Sequence, residues 1–249
     1  MKKFSFIALL IICVSFATIP VQFSAQQIID KAINNAGGSS FEKANVRFTF
    51  RGKEYSSKRD QGNYQLERTM LQGDDLIHDL IDNKGLSRTI NNCPIKVVDS
   101  MVSKISEGVN SVHYFANLPY GLNAGAVHKE LVGESKIKGL PYYKIKVTFD
   151  QEGGGTDYED EFMYWIHKEN LTVDYLAYQY AVNGGGIRFR EAYNARVIEG
   201  IRFADYNNYK AENLSTPLTE LDVLFEKEQL KLLSKIELDD IYVYLDKDN

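Results

Sequence analysis

The chain has 249 residues, 29 basic and 34 acidic, a formal charge of −5 and 44% apolar residues. That length supports one substantial core burying ~70% or more of the unfolded surface. The acidic balance without a basic stripe argues against a nucleic-acid partner, and only two cysteines are present, Cys13 and Cys93.

The first segment reads as an export signal. Lys2 and Lys3 form a positive start, and Phe4 to Phe16 is an apolar run, too short for the ~20 residues a spanning helix needs. Small residues then stand at signal-peptidase spacing, in Ser15-Phe16-Ala17 and again in Phe23-Ser24-Ala25. Ile12 before Cys13 is not the small residue a lipid-attachment site requires. The expected organisation is a cleaved signal over residues 1–25 and one domain over residues 26–249, exported to the periplasm or secreted, with no transmembrane segment. Cys93 then has no internal partner, and beside Pro94 it reads as a small buried or half-buried residue.

A helix opens the mature chain, with Ile28, Ile29, Ala32, Ile33 and Ala36 on one stripe and Gly37-Gly38 as its stop. Alternating segments follow, with turn signals at Arg51-Gly52-Lys53, Gly62, Gly73 and Asn83-Lys84-Gly85. Turns about every ten residues mark an antiparallel meander. Val98, Met101, Val102, Ile105, Val109 and Val112 then recur at helical spacing. Gly108 inside that stretch costs ~1 kcal/mol relative to alanine and suggests a kink. Strands resume in hairpins turned at Lys138-Gly139 and near Lys168-Glu169-Asn170, and a short helix introduced by Pro217 interrupts the end.

This order is wrong for repeated βα units. The expected fold is mainly β: a large curved antiparallel sheet, or open half-barrel, with two or three helices covering its concave face. A helix, a meander, a central helix and a second meander behind a signal resemble the periplasmic lipoprotein carriers LolA and LolB, which are helix-lidded half-barrels. The stretch from Tyr142 to Lys210, "YYKIKVTFDQEGGG…ADYNNYK", resembles more specifically a family of exported Gram-negative bacterial proteins of unknown function. That likeness spans nearly all of the mature chain. Some members of the family carry a deoxyribose-phosphate aldolase label. Such chemistry needs a Schiff-base lysine in a (β/α)₈ barrel, and hairpins stand here where that barrel needs crossover helices.

Two glycine triplets, Gly153–Gly155 and Gly184–Gly186, flank the hairpin turned near Glu169. Antiparallel pairing places them opposite each other, at the ribbon's far end. The acids Glu152, Asp157, Glu159 and Asp160 are then expected near Arg188 and Arg190. Three uses remain open: a solvated edge laced by surface ion pairs, a calcium site built from Asp150, Glu152, Asp157 and Asp160, or a polar pocket in which the two arginines hold an anion. The calcium spacing does not match an EF-hand, so no metal or other cofactor is the expectation. His78, His113, His128 and His167 are scattered and read as surface or capping residues. No Gly-x-Ser-x-Gly elbow occurs. Glu159 and Asp160 are strand neighbours on opposite faces, a poor glycosidase pair.

Alternation puts Phe162, Tyr164 and Ile166 on one face, Met163 and Trp165 on the other. It likewise separates Tyr175 from Tyr178 and Tyr180. The expected cavity wall joins Val102, Ile105, Val109 and Phe115 of the central helix to Phe162, Tyr164, Trp165, Tyr178 and Tyr180, with Arg188 and Arg190 at its polar end. By resemblance, the partner is a hydrophobic or amphipathic molecule, a lipid or lipoprotein acyl chain, bound without catalysis. The alternatives are a hydrolase or glycan-acting enzyme using the acidic and arginine end, and an envelope interaction protein with no small ligand.

Overall fold

The computed structural model describes residues 23–60, 62–153, 158–180 and 184–245. Residues 1–22 of the expected signal segment, Gly154, Gly155 and Asp157 lie outside the described residues. Helix α1 (Ala25–Ala36) starts at Ser24, whose hydroxyl accepts from the Gln27 N–H at 3.2 Å while the Gln27 side chain accepts from the Ser24 N–H at 2.9 Å. This reciprocal capping box satisfies two orphan donors. The predicted stripe is buried in full, and the helix ends where Gly38, at φ +53°, donates its N–H to the Ile33 carbonyl. A single turn, α2 (Ser40–Lys43), leads into the meander.

Six strands follow: β1 (Ala44–Phe50), β2 (Lys53–Asp60), β3 (Asn63–Gln72), β4 (Asp75–Asp82), β5 (Gly85–Ile90) and β6 (Cys93–Ile95). Helix α3 (Asp99–Ala116) crosses to the second run: β7 (Val127–Ile137), β8 (Leu140–Phe149), β9 (Glu161–His167), β10 (Val173–Tyr180), β11 (Gly186–Ile198) and β12 (Ile201–Lys210). Helix α4 (Leu221–Glu226) precedes β13 (Lys231–Ile236) and β14 (Asp239–Leu245). The result is two unclosed antiparallel sheets of seven strands, ordered β14-β1-β2-β3-β4-β5-β6 and β13-β12-β11-β10-β9-β8-β7. β13 and β14, joined by two residues, carry the chain from one sheet to the other. Asp205 holds that crossing: its carboxylate accepts from the Leu238 N–H at 3.0 Å and pairs with Arg196 at 3.1 Å.

The second sheet is covered on both faces. Ile145, Val147, Phe162, Tyr164 and Leu176 pack with α1 and the end of α3. Tyr142, Met163, Trp165, Tyr175 and Phe189 pack with the α4 segment. On that outer side Lys144 reaches Asp222 at 3.1 Å and the Thr219 carbonyl at 2.5 Å, clamping α4 down. The first sheet contributes Val46, Phe48 and Tyr55 to a third cluster, which it shares with Phe203 of β12 and Ala116 of α3.

The structure corrects several expectations. Of the α3 stripe, Ile105 and Val109 are buried, but Val98 is 62% and Met101 39% exposed. The strand nearest in sequence, β6, is three exposed residues. Gly108 produces no break, because α3 is continuous from Asp99 to Ala116. Its missing side chain leaves room for Arg68, whose guanidinium nitrogen would stand 3.1 Å from a Cβ there. Cys93 is exposed rather than buried. His113 is a core residue, edge-on to both Phe48 and Tyr55.

Candidate functional site

A cavity of about 830 Å³ opens between α3 and the two sheets. Phe50, Tyr64 and Ile81 border it from the first sheet; Val112, Tyr114, Phe115 and Ala116 border it from α3. The second sheet supplies Phe149, Phe162, Tyr178, Ala204 and Tyr206. Alternation dictates this wall: Phe162 pairs with Tyr178 across β9 and β10, and the two rings stack at 5.3 Å. Phe115 joins them at 5.4 Å from Tyr178. The volume lies within the ~300–1,000 Å³ typical of small-molecule sites.

Behind the wall, the Tyr114 and Tyr164 hydroxyls share a hydrogen bond of 2.5 Å. Burial pushes both phenols far above their ordinary range, as it also raises Tyr206. They are neutral hydrogen-bonding groups at any physiological pH.

Arg190 is the charged residue set into this wall, only 7% exposed. Its guanidinium carbon lies 3.8 Å from the Phe115 ring centroid and 5.1 Å from that of Tyr178, and one terminal nitrogen donates to the Tyr178 hydroxyl at 2.8 Å. Among the described residues its Nε has no hydrogen-bond partner. Arg188 is engaged locally, donating to the Tyr180 hydroxyl at 2.5 Å and to the Ile187 carbonyl at 3.0 Å.

Of the wall expected from sequence, the cavity brings together Phe115, Phe162, Tyr178, Tyr180 and Arg190, and adds Asp160. Tyr164 sits one layer behind. Ile105 and Val109 are buried in packing, and Val102, half-buried on the same helix, does not border the cavity. Trp165 is a correction: it faces the opposite side of the sheet, fully buried with Phe189 and beneath the Lys144 ammonium. Its neighbour Tyr164 takes the cavity side, and strand alternation allows only one of the two there. The acids are not assembled as the calcium alternative needs. Asp150 bonds His128 at 2.7 Å, Glu152 is exposed, Asp157 lies outside the described residues, and no group of three metal-binding side chains occurs among those described.

Sequence reasoning missed Asn208 and Ala204 on β12, and Phe50, Tyr64 and Ile81 from the first sheet. The β12 pair could not have been found by extending the β11 alternation across the Glu199-Gly200 turn, because a bulge between Tyr193 and Arg196 shifts the register by one residue and reverses the faces. The first-sheet residues could not, because nothing local places one sheet against the other.

Two open antiparallel sheets with helices lodged against them are the LolA-like architecture. Solved structures similar to this chain include a LolA superfamily protein from Nitrosomonas europaea, 13% identical with a TM-score of 0.50 over 92% of this chain and 96% of that one. Another is a DUF1329 family protein from Desulfovibrio piger, 12% identical, TM-score 0.50, over 90% and 94%. No curated protein matches the sequence. The chain belongs to the family of unknown function DUF6503, whose profile matches residues 2–238.

Proposed function

We infer that this is an exported, non-enzymatic protein that binds a hydrophobic or amphipathic molecule, a lipid or acyl chain, in the cavity between α3 and the sheets. One observation carries the reading: about 830 Å³ of space bordered chiefly by aromatic and aliphatic side chains, where a well-packed core would leave almost none. The sequence resemblance to periplasmic lipoprotein carriers supports the same class of ligand, and the signal-like start supports export. Among the described residues no helix is long and apolar enough to cross a membrane.

Native mass spectrometry of the protein purified from its own host tests the reading. A bound lipid mass, lost on solvent extraction, is the expected result. A ligand-free mass, together with no binding of added acyl chains, overturns it.

A further inference from the structure

We propose that the ligand is an acyl chain carrying a free anionic head, a carboxylate, and that Arg190 is the residue that receives the head. The proposal rests on the carrier reading above and adds the chemistry of one end of the ligand.

Three features of Arg190 point this way. First, a guanidinium is charged at every working pH, yet its close neighbours in the cavity wall are two aromatic rings and a neutral hydroxyl. Second, its Nε is buried without a partner among the described residues, a costly state for a polar donor. Third, the next position across the sheet is Asn208, which also borders the cavity; its Nδ2 donates to the Ser234 hydroxyl at 3.3 Å, and its buried Oδ1 has no partner among the described residues. An Asn amide can turn to present either oxygen or N–H. A fork-shaped cation beside an adaptable amide, at the wall of an apolar space, matches a carboxylate at the end of a hydrocarbon chain.

The negative group bordering the same cavity from the second sheet is Asp160. Arg190 aligns through Leu176 with Tyr164. Asp160 stands just before β9, four positions from Tyr164. Arg51 and Glu107, which also border the space, come from the β1–β2 turn and from α3. They are of opposite sign, and Glu107 is half-buried.

The test is isothermal titration of lipid-stripped protein with palmitate and with methyl palmitate, which has the same chain and no charge. Palmitate is expected to bind at least about tenfold more tightly, the scale of a charge-assisted hydrogen bond. Arg190→Met, an apolar substitution that keeps a stem against Phe115, is expected to erase that preference and leave the ester's affinity within a factor of about two. Equal affinity of the wild-type protein for acid and ester overturns the anion assignment and leaves the carrier reading standing. Binding of neither overturns both. Since the wild-type comparison needs no variant, a failure of Arg190→Met to fold does not rescue the proposal.

Discussion

Among single residues, Asp79 makes the heaviest electrostatic commitment. It is fully buried on β4 and accepts from Arg68 of β3 at 2.7 and 3.1 Å and from Arg88 of β5 at 2.5 and 3.0 Å. Both guanidiniums lose their counter-charge if it goes. Asp79→Ala is expected to cost about 3–5 kcal/mol in urea denaturation. Arg47→Ala, which breaks an exposed pair with Glu54, is expected to cost no more than about 1 kcal/mol. His113 adds a pH dependence. Desolvation lowers its pKa from 6.5 to about 4, against a smaller raising effect of the hydrogen bond to the Glu67 carbonyl. The folded state thus favours the neutral ring, so its contribution is complete above pH 6.5 and is lost as pH falls toward 4. At about 1.4 kcal/mol per pKa unit the loss approaches ~3 kcal/mol. Stability of His113→Gln, compared with wild type at pH 7 and pH 4.5, is expected to show a smaller acid-side decline. Parallel pH profiles would refute the assignment.

The element scale shows what sequence can and cannot reveal. The first four hairpins of the first sheet were legible because each turn carries a glycine at positive φ, Gly52, Gly62, Gly73 or Gly85, whereas the β5–β6 turn at Asn91-Asn92 was not read. The Arg68–Asp79–Arg88 ladder was legible in principle. Turns centred on Gly73-Asp74 and Asn83-Lys84 fix the register that aligns Arg68 with Asp79 and Asp79 with Arg88. The side on which Trp165 lies was not legible. Both faces of its strand are covered, so alternation separates two sets of residues without saying which set meets α4 and which meets the cavity. Nor was the division into two sheets: the Leu238 N–H that Asp205 receives at the crossing lies 33 residues away along the chain. The start of α1 bears on processing. Ser24 caps the helix and Phe23 packs on the core beneath Lys31. Cleavage after Ala25 removes both, whereas cleavage after Ala17 keeps them. N-terminal sequencing of the protein purified from its host is expected to read Thr18, and Ser24→Ala is expected to cost about 1 kcal/mol. A mature chain beginning at Gln26 would show that the cap is dispensable.

For the whole molecule, the decisive relation is between the cavity and stability. The core clusters on either side are closely packed, with Phe48, Phe189 and Trp165 fully buried, while the space beneath α3 is not filled by side chains. Its aromatic lining is partly open to solvent. A ligand that binds only the folded state adds stability by mass action, about 2.7 kcal/mol at a hundredfold excess over Kd. Stripped protein is therefore expected to melt at a lower temperature than protein as purified, and added palmitate is expected to recover the difference. Ala204→Trp separates this effect from general stabilisation by fatty acid. Ala204 is buried in the core cluster and also borders the cavity from β12, so an indole there takes ligand space at some cost in repacking. The variant is expected to show no melting shift with palmitate. If it shifts as much as wild type does, the acyl chain binds elsewhere and the space beneath α3 has another use.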